Sequence, residues 1–454
     1  MKLFKLAALI SLLTLFTTGC RINSESPEQL IKNKPIYNED KNTIYEGIKQ
    51  ILTLNYELIL PANSKEVGIM NEVDLNKDSV DEILVFEKKE NVNENKTEVG
   101  FMVLTKNIDG THTNKGSLLQ QGSSIEYANF YDLNGDGYLE IILLVKDEDK
   151  TNLYIYEFKE DKINLLYELK PTWIEDRKSL TDMKIKIGNF DEDEILDVLL
   201  LNYNPNKNKV YASVINFKEN AVLKDMVVFE NVKSLSSLSL TTGNISKDRT
   251  GIILDIPMIE ENYYVTQILY MENNRIKKAF KDENEKTKKT YHLLPEDINE
   301  DNVLEIPIVN ENNNMYSLKS SANVSWYRWN GKEGEESDLV FNSQIYYNYQ
   351  YNYKLLIPNN LMNKFYIDQE YNGENVTFKY YYYDLITSEA KNIFTINVTP
   401  KSVGEDSKNL NNANGILLGE SYDYTFILYQ NDIEQLEKLS ITTEALKEYF
   451  SLIY

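Results

Sequence analysis

The sequence predicts a mainly β chain built from repeated units, and three observations support this. An acid-rich turn recurs five times, beginning at residues 74, 132, 189, 244 and 297, so that successive steps are 58, 57, 55 and 53 residues. Such even steps are typical of a repeat architecture. Each turn lies between short runs in which apolar residues alternate with polar ones, as in strands. The text between turns supplies about four such runs per unit.

The turn itself has the pattern of a loop that wraps a hard cation. In turn 2 (residues 132–140) the first, third, fifth and ninth positions are Asp132, Asn134, Asp136 and Glu140, with Gly137 at the sixth. Ca²⁺ takes six to eight oxygen ligands, and the glycine permits a sharp turn at the centre of the loop. The sequence therefore predicts a calcium site in this turn.

The same offsets recur in turn 1 (74–82), turn 3 (189–197) and turn 5 (297–305). Their candidate calcium ligands are Asp74, Asn76, Asp78 and Glu82 in turn 1, Asn189, Asp191, Asp193 and Asp197 in turn 3, and Asp297, Asn299, Asp301 and Glu305 in turn 5. Turn 4 (244–252) has Ile252 in place of the last acid and is predicted to hold no ion. Turn 2 alone has the central glycine and ranks first, and turn 5 ranks next because Asn302 tolerates the left-handed conformation.

An alternative for each single turn needs no metal, because Asp and Asn side chains also bond their own backbone in turns. Two arguments favour the cation. Four turns share the oxygen positions, and the three carboxylates of turn 2 repel one another unless a cation or a proton intervenes. The expected affinity is the roughly 10⁻⁴–10⁻³ M of extracellular modules, so the ion would pin a turn rather than signal.

Four antiparallel strands in a unit of this length are the make-up of a β-propeller blade. The turn and the buried strand after it resemble the FG-GAP or VCBS repeat of integrin α-subunit-like propellers and of many bacterial surface proteins. The resemblance covers residues 60 to 342. It implies a propeller with calcium in the blade loops, and we expect about five to seven blades within residues 43–342. It implies no particular activity.

The N-terminus has the layout of a secretory signal in residues 1–19, with two lysines before an apolar run. The following "TTGC" resembles the lipobox of bacterial lipoproteins, in which Cys20 is lipidated; it is the single cysteine of the chain. Residues 20–42 are polar and would form a tether. The sequence thus predicts a protein anchored by lipid at the extracytoplasmic face of the cell membrane.

The last part, residues 343–454, is predicted to be a smaller α+β domain. It is rich in tyrosine, with alternating runs that read as strands and a closing helix capped by Thr442 or Thr443. Its general composition resembles the C-terminal modules of VCBS-repeat lipoproteins of Gram-positive bacteria. Tyrosines on a sheet face stack on sugars or peptides in some proteins and are simply strand formers in others.

The formal net charge of −23 argues against a nucleic-acid partner. His112 and His292 lie in no recognisable catalytic pattern. Two hypotheses remain: a calcium-stabilised platform that binds an envelope polysaccharide, peptide or protein, and a polysaccharide-processing enzyme, a glycoside hydrolase or lyase, that uses two carboxylates.

Overall fold

The structure is a computed structural model. It describes residues 45, 48, 55–91, 96–107, 111–148, 150–169, 182–191, 193–218, 222–259, 263–282, 284–290, 292–309, 321–362, 364–384, 387–401 and 415–453. The predicted signal segment, Cys20 and the tether lie outside these residues. Within the described part, no helix is both long and apolar enough to cross a membrane.

The prediction of a mainly β chain with repeated four-stranded antiparallel sheets is confirmed. Sheet 1 has the order β1-β3-β4-β5, with β2 also paired to β3. Its strands are β1 (Tyr56–Leu58), β2 (Met70–Val73), β3 (Glu82–Asn91), β4 (Lys96–Lys106) and β5 (His112–Gln121).

Sheets 2 and 3 are four-stranded meanders in which every strand pairs with the next one along the chain. Sheet 2 consists of β6 (Ser124–Tyr131), β7 (Glu140–Asp147), β8 (Lys150–Lys159) and β9 (Lys162–Glu168). Sheet 3 consists of β10 (Asp182–Gly188), β11 (Asp197–Asn204), β12 (Lys209–Asn216) and β13 (Val222–Phe229).

Sheets 4 and 5 keep this meander and each add one strand. Sheet 4 consists of β14 (Ser239–Ser246), β15 (Arg249–Pro257), β16 (Tyr264–Glu272) and β17 (Arg275–Lys278), with β18 (Lys288–Lys289) also on β16. Sheet 5 consists of β19 (Ile306–Ile308), β20 (Ser321–Trp329), β21 (Leu339–Asn348), β22 (Tyr353–Ile357) and β28 (Phe450–Leu452), the last strand returning from the C-terminal region.

Sheet 6 has the order β23-β24-β25-β27-β26 and is accompanied by two short helices. Its strands are β23 (Phe365–Asn372), β24 (Asn375–Tyr383), β25 (Ala390–Pro400), β26 (Ile416–Glu420) and β27 (Tyr424–Gln430), and the helices are α1 (Ile433–Lys438) and α2 (Thr443–Tyr449). The predicted cap of α2 is confirmed, since the Thr442 hydroxyl accepts a hydrogen bond from the Ala445 N–H (3.1 Å).

Each of sheets 2 to 5 shares one apolar core with the sheet before it and another with the sheet after it. On β7, Ile141 and Leu143 belong to the core between sheets 1 and 2, whereas Ile142 and Leu144 belong to the core between sheets 2 and 3. Successive strand residues point to opposite faces, so an uninterrupted aliphatic run serves both neighbours. Similar shared cores join sheets 3 and 4, 4 and 5, and 5 and 6.

The predicted boundary between residues 342 and 343 falls inside β21. This strand continues to Asn348, and β22 follows it in the same sheet. The reason is that the tyrosine-rich run serves two neighbours: its backbone pairs within sheet 5, while Tyr346 and Tyr353 pack into the core shared with sheet 6. The tyrosine content marks this shared core rather than the first strand of a new unit.

Candidate functional site

Four of the five acid-rich turns lie near the start of sheets 1, 2, 3 and 5. Turn 1 joins β2 to β3, turn 2 joins β6 to β7, turn 3 joins β10 to β11, and turn 5 leads into β19. In all four, the residue before position one pairs with the residue at position nine. These pairs are Val73 with Glu82, Tyr131 with Glu140, Gly188 with Asp197, and Glu296 with Glu305. The repeated spacing in the sequence thus corresponds to a repeated register in the structure.

Turn 2 is closed by its own side-chain oxygens. Asp132 accepts hydrogen bonds from the N–H groups of Gly135 (2.7 Å) and Gly137 (2.9 Å). Asn134 and Asp136 each accept one from the N–H two residues further on, at 2.8 and 2.9 Å. Gly135 and Gly137 have φ angles of +78° and +86°, which glycine adopts without a steric penalty. The oxygens at positions one, three and five are therefore held by the backbone of the turn.

Turns 1 and 5 repeat this geometry without glycine at position six. Asp74 accepts from the N–H of Ser79 (2.9 Å), and Asp297 accepts from the N–H of Asn302 (2.8 Å). Ser79 and Asn302 have φ angles of +68° and +64°. The side-chain bond from position one thus holds a left-handed residue at position six even where that residue carries a Cβ.

The glutamate at position nine is buried in all three turns. Glu82, Glu140 and Glu305 accept from the backbone N–H at position two, at 3.0, 2.7 and 3.1 Å, and from the amide of the asparagine at position three, at 2.9, 3.3 and 3.3 Å. Burial, together with the two aspartates of the same turn, raises the pKa of Glu82 and of Glu140 to about 7 and also raises the pKa of Glu305. The ionised form of each glutamate is therefore disfavoured, first by burial and then by the neighbouring aspartates.

Turn 3 departs from this pattern at its first position. The Asn189 side-chain amide donates to the carbonyl of Asp193, whereas Asp193 accepts from the Ile195 N–H (2.8 Å) and Asp197 from the Phe190 N–H (3.3 Å). The side chains at positions five and nine therefore accept backbone N–H bonds as in the other turns, whereas the side chain at position one donates a hydrogen bond. The sequence predicted a calcium site in turn 3 as it did in turn 1, but the structure shows that the two turns differ in geometry.

Turn 4 forms a tight hairpin instead of an open loop. Ser246 of β14 pairs directly with Arg249 of β15, which leaves Lys247 and Asp248 as the two turn residues. Ile252, at position nine, has no side-chain oxygen that could accept a hydrogen bond from the backbone N–H at position two. The bond that closes turns 1, 2 and 5 therefore cannot form in turn 4, which explains why the open loop is missing.

The donor set of turns 1, 2 and 5 suits calcium, because every candidate ligand is an oxygen. Each carboxylate oxygen has two lone pairs, so the N–H bonds leave acceptors free. Among the described residues, however, no three His, Cys, Asp or Glu side chains are gathered tightly enough to hold a metal ion. Calcium binding therefore needs the acids to draw together, with asparagine and backbone oxygens completing the shell. The Lys159 ammonium lies 3.7 Å from a carboxylate oxygen of turn 2, and the Arg328 guanidinium lies 3.7 Å from one of turn 5. Both cationic side chains would have to move away before calcium could bind.

A cleft of about 410 Å³ on sheet 5 is the second candidate site. The rings of Tyr347 and Tyr349 stack within it, with centroids 5.7 Å apart and planes 9° from parallel. Tyr349 is 51% exposed, and Trp326 lies buried in the same wall. The residues that line the cleft include Leu293, Glu296, Trp326, Tyr347, Tyr349 and Lys354.

The cleft also carries one charge of each sign. The Glu296 carboxylate lines the cleft with Tyr347 and Tyr349. Burial raises the pKa of both tyrosines, and this carboxylate adds to the rise. Lys354 lines the same cleft. Apolar walls with a few polar groups are typical of a ligand site.

The sequence analysis identified the tyrosine-rich run but did not predict this cleft. Trp326 lies on β20 and the tyrosines lie on or directly after β21, while Leu293 and Glu296 precede turn 5. Pairing of β20 with β21 brings the aromatic residues together. The only signal in the sequence was the aromatic content of both runs.

No family model matches the chain, and no curated protein matches it. Solved structures similar to it include the exotype rhamnogalacturonan lyase YesX (11% identity, TM-score 0.29, covering 80% of this chain and 71% of that one). A second is the β-propeller domain of the Trilobed protease from Pyrococcus furiosus (11%, 0.25, 73% and 89%). A third is the fructofuranosidase from Schwanniomyces occidentalis complexed with fructose (11%, 0.25, 80% and 86%). Likeness at these TM-scores carries no argument about the function of this chain.

Proposed function

We propose that the protein is a membrane-anchored binding module that holds an envelope polysaccharide in the cleft on sheet 5. The stacked pair of Tyr347 and Tyr349 carries this proposal. An exposed tyrosine ring offers an apolar face for a sugar ring, and its hydroxyl serves as a polar contact. Glu296 and Lys354 line the same cleft and would bond sugar hydroxyl groups.

The cleft supports binding better than hydrolysis. Glycoside hydrolysis generally needs two carboxyl groups that flank the scissile bond. Of the described residues that line the cleft, Glu296 alone has a carboxylate. A polysaccharide-processing enzyme remains the second candidate function, and the experiment below separates the two.

Sheets 1 to 5 would be the blades of a propeller-like platform, with calcium in turns 1, 2 and 5 and a weaker site in turn 3. The repeated register of the first hairpins and the shared core between each pair of neighbouring sheets support this part of the proposal. The ion would relieve the repulsion between the buried glutamate and the two aspartates of each turn. Its role is structural, since the calcium turns and the cleft use different residues.

Replacing Tyr349 by alanine is expected to weaken retention on purified cell wall by about tenfold, which is the scale of a lost aromatic contact. A pull-down at graded wall concentrations measures the retention, and a reducing-sugar assay on the supernatant measures release. Tyr422→Ala is the matched control, because this tyrosine is 96% exposed and lies outside the cleft.

Retention without release, weakened in Tyr349→Ala and unchanged in Tyr422→Ala, supports the binding module. If the wild type releases reducing ends and Glu296→Gln does not, the protein is a polysaccharide-processing enzyme rather than a binding module. Equal retention of both tyrosine variants and the wild type would remove the cleft as the site.

Replacement of Cys20 by serine is expected to abolish incorporation of a metabolic fatty-acid label, because the predicted anchor is attached to this thiol. The label is followed by gel after growth with a tagged fatty acid. The variant should also leave the membrane fraction. Persistent labelling of the variant would contradict the lipid anchor and the proposed location.

A further inference from the structure

We propose that Lys289 and Asp255 become joined by an amide bond after the chain has folded. The two side chains come from β18 and β15, which pair with β16 from opposite sides. In register, Asp255 stands opposite Thr266, and Lys289 stands opposite Tyr264. Alternate residues of a strand lie on one face of the sheet, so the two side chains meet on one face across β16. A bond between them would fasten the two-residue strand β18 to β15.

The two groups are in close contact and shielded from water. The Lys289 Nζ lies 2.8 Å from Asp255 Oδ2, and both side chains are fully buried. Oδ2 nevertheless has no hydrogen-bond partner in the described part of the protein, so the ammonium is not aligned with it as a hydrogen-bond donor. A buried carboxylate oxygen without a hydrogen bond calls for an explanation. We interpret the short, unaligned contact as that of a nucleophile held beside the group that it attacks.

Burial favours the neutral forms that the reaction needs. It lowers the pKa of Lys289, while the negative charge of Asp255 acts against this shift. Transfer of one proton from the ammonium to the carboxylate turns the pair into an amine and a carboxylic acid. The neutral amine is the nucleophile. The amide that forms carries no charge, so the reaction also removes two buried charges whose desolvation is unfavourable.

Two neighbouring side chains supply the rest of the chemistry. Lys289 Nζ attacks Asp255 Cγ, the Nζ–Cγ bond forms and the Cγ–Oδ2 bond breaks. Oδ2 leaves as water, with the proton of the carboxylic acid and one proton of the amine, so no other reactant is needed. The Thr266 hydroxyl donates to Oδ1 at 2.6 Å and would stabilise the negative charge that develops there. His292 Nε2, 3.8 Å from Oδ2, would carry the proton from the nitrogen to the leaving oxygen.

Peptide mapping of the full-length protein by mass spectrometry tests the proposal. Trypsin cuts after lysine and arginine, so the amide should leave residues 250–275 joined to residues 289–319, lighter by one water molecule than the two peptides together. Lys289→Arg keeps the positive charge without the amine and should give no joined species. Lys288→Met is the matched control and should stay joined. Wild-type protein that gives only separate peptides 250–275 and 290–319 would overturn the proposal.

The roles of the neighbours are tested by the rate of bond formation. Thr266→Val and His292→Gln are each expected to slow it by about 100-fold. Cell-free synthesis sets the starting time, the joined fraction is measured at intervals, and circular dichroism confirms that each variant is folded. Replacing Lys289 leaves a charged, buried Asp255 whether the wild-type pair is ionic or joined, so the mass rather than the stability identifies the bond. An unchanged rate in both folded variants would contradict the assigned step.

Discussion

Replacing Lys289 by methionine is expected to lower the free energy of unfolding by about 3–5 kcal/mol, the scale for breaking a buried ion pair. The Lys289 ammonium lies 2.8 Å from an Asp255 carboxylate oxygen, and both side chains are fully buried in sheet 4. Thr266 donates to the other oxygen of Asp255 at 2.6 Å. Without the lysine, the carboxylate keeps this hydroxyl and the His292 ring nitrogen 3.8 Å away, and its charge stays buried without the ammonium that offsets it. Urea unfolding followed by tryptophan fluorescence measures the loss.

The double variant Asp255→Asn/Lys289→Met controls for packing. It removes both charges, so its loss should be clearly smaller than that of Lys289→Met alone. Lys288→Met tests the neighbouring position, where the side chain is 32% exposed and its ion pair with Glu285 lies at the surface; the expected loss is below about 1 kcal/mol. A loss below about 1 kcal/mol for Lys289→Met itself would contradict the buried pair.

In the presence of a chelator, the protein should become less stable as the pH rises from about 4.5 to about 7. Burial and neighbouring aspartates raise the pKa of Glu82 and Glu140 from 4.5 to about 7 in the folded state. Between these values the folded glutamates hold a proton that the unfolded ones have lost. Their contribution is therefore fully present below pH 4.5 and is lost as the pH passes through the folded pKa. Thermal unfolding at a series of pH values measures this slope.

Calcium should reverse this slope at neutral pH, because it binds the ionised carboxylates. At about 10 mM free Ca²⁺ and the expected dissociation constants of about 10⁻⁴–10⁻³ M, mass action stabilises each occupied turn by about 1.4–2.7 kcal/mol. Glu140→Gln should remove the contribution of turn 2 both to the pH dependence of stability in chelator and to the stabilisation by calcium. Glu374→Gln, at an exposed glutamate in the turn between β23 and β24 and outside the acid-rich turns, should remove neither. A stability that is independent of calcium at pH 7.5 would contradict calcium binding by the turns.

The sequence predicted the repeat well because the same few residues set both the pattern and the register. Asp132 and Glu140 fix the length of the turn through local hydrogen bonds, and this length aligns β6 with β7. Such local chemistry is visible in a single sequence. Ile252 in place of the last acid led to the prediction that turn 4 holds no ion. The tight hairpin that the structure has at this position was not predicted.

The cleft and the buried pair could not be predicted, since both depend on contacts between distant segments. Glu296 lines the same cleft as Tyr347 because turn 5 leads into β19, which belongs to the same sheet as β21. Lys289 reaches Asp255 because a two-residue strand, β18, adds to the side of β16. Nothing in the local sequence distinguishes Lys289 from its neighbour Lys288. Tertiary pairing alone decides which lysine is buried.

Calorimetric titration of the chelator-treated full-length protein with CaCl₂ tests the central claim, that the recurring turns are ion sites, most directly. We expect saturable binding of three ions, one in each of turns 1, 2 and 5, with any ion in turn 3 bound more weakly. Asp132→Ala should remove one of the three. Absence of saturable binding, or an unchanged number of sites in Asp132→Ala, would contradict the account.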